Sequence, residues 1–251
     1  MRKNRKTLTE QKIINKENEE LLLEDKQENN KLLYSNIRKK LKVNFKNEHQ
    51  KDFWELMDKK EISIISGPAG TGKTYLIVMK ALQLLTDDNT PYTKIYITKP
   101  NNPIEDTFAL GWLPGDINSK MSIFVNSIYY LFEKIIGKRR VEKLKEKNII
   151  EILPIAYILG MNIDNAIFII DEMQNVDIKL MKAVLTRLGS NSKFFISGDL
   201  DQNFKFNDFK KSGLYIAQEK LKDIEEIGIY KFSVEDIVRN PLISKILEKL
   251  N

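Results

Sequence analysis

Residues 66–75 read SGPAGTGKTY and match G-x-x-x-x-G-K-[ST], a pattern that works in only one local architecture. Gly67, Gly70 and Gly72 tolerate positive φ, so the backbone between them can turn its N–H groups inward around an anion. The cradle needs a strand entering it and a helix leaving it, with the helix N-terminus aimed at the anion. Both conditions are met. A β-branched run over 62–66 precedes the loop, and a helical pattern over 75–85 follows it.

The rest of the chain is built to the same plan. Short apolar runs at 62–65, 95–98, 166–170, 194–197 and 227–232 alternate with helical patterns at about 73–86, 119–147, 178–188, 212–222 and 234–250. Continuous β-branched runs separated by helices predict a parallel sheet covered on both faces. The segment 99–148 is too long for an ordinary crossover and reads as a mainly helical insertion. The expected fold is therefore α/β, a parallel sheet flanked by helices. The Gly-rich loop and an acidic pair lie where the first and third runs end, on the carboxyl edge where such sheets bind ligands.

Gly67-Pro68-Ala69-Gly70-Thr71-Gly72-Lys73-Thr74 supplies a nucleotide cradle. Lys73 is placed for the β/γ-phosphates and Thr74 for Mg²⁺ through its hydroxyl. About a hundred residues on, an apolar run ends in Asp171-Glu172. Asp171 is expected to hold the Mg²⁺, and Glu172 to act as the base for a water attacking the γ-phosphate. The third piece is Gly198-Asp199-Leu-Asp-Gln202, just after the fourth run. It reads either as a turn that puts Gln202 near the γ-phosphate as a sensor, or as a surface turn. No Asn-Lys-x-Asp follows the third run, which favours ATP over GTP as the nucleotide.

Charge is unevenly placed. Residues 1–46 carry 13 Lys/Arg against 7 Asp/Glu, which accounts for the whole net charge of +6 and leaves 28 of each sign in 47–251. A basic extension on a neutral body reads as a polyanion contact, or as a solvated helix or tail. We divide the chain at 46/47: a basic, partly helical extension, then the nucleotide-binding domain. With no cysteine, a disulfide framework or a thiolate metal site is excluded, and with His49 as the single histidine, His-based metal or relay chemistry is not expected. No run of eighteen apolar residues occurs, so a soluble cytoplasmic protein without a membrane span is expected.

These pieces in order resemble the PhoH-like ATPases, a bacterial and phage family with superfamily 1 helicase-type motifs. The resemblance rests on the phosphate loop through Tyr75, Leu110-Gly-Trp-Leu-Pro-Gly-Asp116, Ile150-Glu-Ile-Leu-Pro-Ile-Ala-Tyr157 and Asp171-Glu-Met-Gln-Asn175. It continues with Leu185-Thr-Arg-Leu-Gly189, Ser197-Gly-Asp199, Ser212-Gly-Leu214 and Asp236-Ile-Val-Arg-Asn-Pro241, and spans roughly 46–250. It implies a RecA-like core, ATP hydrolysis with Mg²⁺, a homo-oligomeric ring with a hexamer favoured, and action on RNA or single-stranded DNA. Two departures stand out. After Tyr157 the family usually reads Met-Arg-Gly-Arg-Thr, where this chain has Ile158-Leu-Gly-Met-Asn162, and Lys99-Pro100 replaces Arg-Pro.

Relatives of helicase type close ATP between two RecA-like domains, and the second supplies an arginine. Only about twenty residues follow the fifth run here, so that arginine is expected from a neighbouring copy, as Arg187 or as Arg239; each can instead be a surface salt bridge. The resemblance also implies that Gln50 reads the adenine edge; Phe53 or Trp54 is available to stack on the base, with Trp54 equally a core residue. Gln174 and Asn175 would couple nucleotide state to the domain, and Thr98-Lys99-Pro100 would meet a nucleic-acid backbone. Trp112, Phe124, Tyr129 and Tyr130 are aromatics of the insertion, available for stacking or for core. An ATP-controlled protein-interaction module that leaves nucleic acid alone is the alternative.

Overall fold

The computed structural model describes residues 30–100, 117–238 and 249. The chain divides into two units at Lys40/Leu41. In the first, residues 30–38 form a helix, α1. All else described here lies in the second.

Six strands form one parallel sheet: β1 (Ile62–Ser66), β2 (Lys94–Thr98), β3 (Ile150–Ile152), β4 (Ala166–Ile170), β5 (Lys193–Gly198) and β6 (Ile227–Lys231), in the order β3-β2-β4-β5-β1-β6. β1, β4 and β5 are buried along their whole length, which is why they read in sequence as mainly apolar runs, interrupted only by buried serines in β1 and by Lys193 and Ser197 in β5. β5 lies between β1 and β4, as in RecA-like P-loop domains.

The strand period of two sorts the core. Ile62, Ile64, Phe168, Ile170, Phe194 and Ile196 point to one face and pack with Met181 and Val184 of α7 (Ile178–Leu185) and Leu214 and Ala217 of α8 (Gly213–Lys220). The opposite face carries α2 (Glu48–Lys59) and α3 (Lys73–Thr86), the latter buried at ten positions. The insertion is α4 (Ile117–Ile136) and α5 (Lys138–Glu146), both packed toward edge strand β3, with α4 also beside α3. A short turn of helix, α6 (Ile155–Ile158), follows β3.

Most expected elements are present, and the differences have local causes. The helical pattern over 119–147 is broken at Gly137, whose φ of 87° no helix accommodates. The helix expected over 178–188 ends at Leu185, because Arg187 and Gly189 turn to exchange backbone bonds with Ile163. No α-helix starts at 234. The Asp236 carboxylate instead accepts from the N–H and hydroxyl of Ser233, closing a single 3₁₀ turn, and most of the helix expected over 234–250 lies outside the described residues. Three elements were not anticipated: β3, three residues long, the single turn α6, and α2, whose start is capped by Asn47 accepting from the N–H of Gln50. Among the described residues no helix is long and apolar enough to cross a membrane.

Candidate nucleotide site

Three strand ends converge at the carboxyl edge because β5 separates β1 from β4. The phosphate loop leaves β1, Asp171-Glu172 leave β4, and Asp199 leaves β5 between them. A cleft of about 760 Å³ opens there, lined among others by Gln50, Gly72, Lys73, Thr74, Asp171 and Glu172.

The loop's shape is enforced from outside. Gly67 has φ 147°, and a Cβ there would meet Cβ of Phe232 at 2.6 Å and its carbonyl oxygen at 2.8 Å. Gly72, at φ 88°, starts α3 in the left-handed region against the Gln50 amide. Gln50 is 3% exposed; Nε2 donates to the Thr71 carbonyl at 2.9 Å and Oε1 accepts from the N–H of Lys46 at 2.9 Å. The N–H of Val238 donates to the Gly70 carbonyl at 3.0 Å. Asp236 accepts from Asn47 at 3.3 Å and pairs with His49, whose pKa it raises by hydrogen bonding and charge. The start of α2 and the 233–238 turn together clasp the loop.

Inside the cleft, the Thr74 hydroxyl donates to Oδ2 of Asp171 at 3.1 Å. A hydroxyl and a carboxylate so placed fit Mg²⁺, which takes few protein oxygens when phosphates and water complete its shell. Oδ1 of Asp171 accepts from Ser197 at 2.6 Å and from the N–H of Glu172 at 3.0 Å, which fixes the carboxylate. Lys73 folds back on the loop and donates to the carbonyls of Gly67 and Pro68, the latter at 2.8 Å.

Asp199 is 7% exposed and accepts from the N–H of Ala69 at 3.0 Å. Burial raises its pKa, opposed by the Lys73 charge. Gln174, 1% exposed, donates to Glu172 at 2.7 Å and accepts from the N–H of Asp199 at 3.2 Å, so it bridges the ends of β4 and β5. Asn175 accepts from the N–H of Phe204 at 2.9 Å.

The structure brings together Gln50, the loop from Ala69 to Thr74, Asp171, Glu172 and Gln202. Gly67 and Pro68 hold Lys73. Arg187 stands apart from the cleft, donating to the carbonyls of Leu159 at 3.1 Å and Met161 at 3.4 Å. Arg239 lies outside the described residues, one position beyond the cleft-lining Val238. The two stacking candidates of α2 are corrected. Phe53 is fully buried against Tyr230 and Phe232, and Trp54 packs on Phe45 and under the ammonium of Lys80. Trp112 and the side chain of Phe124 are outside the described residues. Tyr129 is core, its pKa pushed up to about 12 by burial, whereas Tyr130 is 64% exposed and lines the cleft with Lys134. Neither Ser197 as the support of Asp171 nor Lys134 was read from sequence. The Ser-Gly-Asp turn was the available signal for the first.

A family model described as "PhoH-like protein" matches residues 42–251. A PhoH-like protein of Bacillus subtilis (strain 168) is 40% identical over 199 residues, 79% of this chain and 61% of that protein. One from Synechocystis is 35% identical over 227 residues, covering 89% and 68%. Protein PhoH of Escherichia coli (strain K12) is 33% identical over 207 residues, covering 80% and 56%. The chain thus spans about three-fifths of the length of several relatives it matches. Among solved structures, the UvsW helicase of bacteriophage T4 aligns at 16% identity and TM-score 0.38, over 76% of this chain and 61% of that one. With the loop, the acidic strand end and the family match in agreement, the chain belongs to the PhoH-like family, and its parallel sheet and phosphate loop have a RecA-like P-loop architecture.

Proposed function

We propose that this protein hydrolyses ATP with Mg²⁺, as a homo-oligomeric ring that acts on RNA or single-stranded DNA. The observation that carries the hydrolytic part is Glu172 lining the same cleft as the Thr74–Asp171 pair, one residue from the carboxylate that fits the metal. Mg²⁺ would neutralise charge on the β- and γ-phosphates. Lys73 and the loop N–H groups bind and orient those phosphates, and releasing Lys73 from its two carbonyls is part of binding. Glu172 takes a proton from water as its oxygen bonds to the γ-phosphorus. The bond to the bridging oxygen breaks, and ADP leaves with the electron pair. Gln202, exposed and lining the cleft, would sense the γ-phosphate.

The oligomer is proposed because Arg187 stands apart from the cleft of its own chain and would reach a γ-phosphate only in a neighbouring one. A copy alongside would complete the site with Arg187 or Arg239, and a finger of this kind contributes about 10³–10⁵ in rate. Use of Arg187 in this way requires it to leave the carbonyls of Leu159 and Met161. The basic extension supports a polyanionic partner.

The alternative, an ATP-controlled protein-interaction module, is favoured by one observation. Tyr157 and Leu159 expose 55% and 44% of their surface on the turn where relatives are expected to carry arginines.

The test is Mg²⁺-dependent ATP turnover by wild type and by Glu172→Gln, with and without single-stranded RNA or DNA, at low and high salt. We expect Glu172→Gln to bind ATP and stall turnover, and wild type to be stimulated several-fold in a salt-sensitive way. An unchanged rate in Glu172→Gln removes the base assignment; absence of stimulation and of binding at low salt leaves the alternative.

A further inference from the structure

Glu172, the base in the reading above, is held rather than presented. Its backbone lies in the left-handed region, φ 61° and ψ 36°, which disfavours a residue with a Cβ by roughly 1–2 kcal/mol. One carboxylate oxygen accepts from Gln174 at 2.7 Å, and the other faces Nζ of Lys99 at 3.8 Å. Lys99 follows β2 directly, beside the end of β4, where Asp171 donates its N–H to the Thr98 carbonyl at 3.2 Å.

The two restraints differ in kind. Gln174 is buried and bonded at both ends of its amide, which makes it a fixed guide. The Lys99 contact is too long for a hydrogen bond and supplies attraction without direction. Both partners retain some solvent contact, with side-chain exposures of 13% and 31%. A phosphate oxyanion carries more charge than a carboxylate and forms short charge-assisted bonds with an ammonium, so it competes well at such a contact.

We propose that Lys99 is a positioning residue that exchanges Glu172 for a phosphate oxyanion, and that the exchange frees the carboxylate to face the attacking water. The oxyanion is the γ-phosphate of the nucleotide in the cleft or a backbone phosphate of a polynucleotide lying along the β2 edge. Lys99 recognises the same chemistry in both. The inference rests on Glu172 as the base.

The experiment compares wild type, Lys99→Met and Lys99→Arg in affinity for ATPγS, ADP and a single-stranded oligonucleotide, and in kcat and KM for ATP with and without the oligonucleotide. If the γ-phosphate is the source, Lys99→Met weakens ATPγS about tenfold and spares ADP, as expected for one lost charged contact. If a polynucleotide is the source, both nucleotide affinities hold. Oligonucleotide affinity then falls about tenfold, and kcat no longer responds to the oligonucleotide. Lys99→Arg restores whichever affinity was lost. The proposal is overturned if Lys99→Met changes neither the ATPγS-to-ADP ratio nor oligonucleotide binding. It is equally overturned if both nucleotides weaken together with oligonucleotide binding unchanged, which reports a damaged cradle. Full turnover by Glu172→Gln would remove the base assignment separately, since the Lys99 affinities are read without turnover.

Discussion

The hydroxyl of Ser197 donates to Oδ1 of Asp171 at 2.6 Å, joining the ends of neighbouring strands β5 and β4. The bond leaves Oδ2 to face Thr74, so the serine sets the direction of the carboxylate that fits Mg²⁺. Ser197→Ala removes a hydrogen bond to a charged group, a loss of about 1.5–3 kcal/mol. We expect the Mg²⁺ concentration for half-maximal turnover to rise about tenfold or more, with ADP affinity without metal nearly unchanged. Metal titration of both forms checks this.

Gly67→Ala is expected to destabilise the fold by about 2 kcal/mol or more, since the new methyl would meet the Phe232 backbone and φ is positive. Gly160→Ala is the control. The closest atom a Cβ would meet there is the Tyr157 carbonyl at 4.0 Å, and its stability should stay within about 0.5 kcal/mol of wild type. Urea unfolding of the two variants gives the comparison.

Arg187→Ala should lower stability by about 1–2 kcal/mol, because the guanidinium holds the Leu159 and Met161 carbonyls within its own chain. Arg187→Lys should lower it by less, since the Nη2 bond to the Thr186 hydroxyl is lost while an ammonium can still donate to two carbonyls as Nη1 does. Unchanged urea midpoints in both would show that the arginine serves only a neighbour. Mixing Arg187→Ala with Lys73→Ala protein tests that intermolecular role directly, through recovery of activity.

At the amino edge of the sheet, Lys193 donates to the carbonyls of Met57 at 2.7 Å and Asp58 at 2.8 Å, close to Lys80 and its partner Asp58. Burial, more than the Lys80 charge, brings the Lys193 pKa down to about 8 from 10.5. Between these values the unfolded chain binds more protons than the folded one, so this group makes stability rise with pH across that window. Above pH 10 the tyrosines raised by burial act in the opposite sense, Tyr129 and Tyr230 both at about 12. Urea midpoints at pH 7.5 and 9.5 should therefore differ less in Lys193→Met than in wild type.

The strands that build the site were legible because both faces of β1, β4 and β5 are buried, which leaves runs dominated by isoleucine and phenylalanine with few polar residues among them. The loop and Asp171 were legible because their chemistry is local in sequence. Ser197 was quoted as part of a turn, but its partner depends on β5 pairing with β4, a fact of topology. Phe53 was misread for the same reason: nothing local says that β6 brings Tyr230 and Phe232 onto α2. Strand β3 was too short, at three residues, to carry a period. The Lys99–Glu172 contact joins residues 73 positions apart through adjacent strands, so only the fold could disclose it.

The interposed strand β5 carries a mechanical consequence. The cradle and the acidic pair are not neighbours that can hinge; each is laced to β5 by a full ladder of backbone bonds. Shifting one against the other would mean shearing two ladders at once. The sheet therefore behaves as a jig, and the presence or loss of a γ-phosphate has to be transmitted by side chains that swing above it and by the 233–238 clasp.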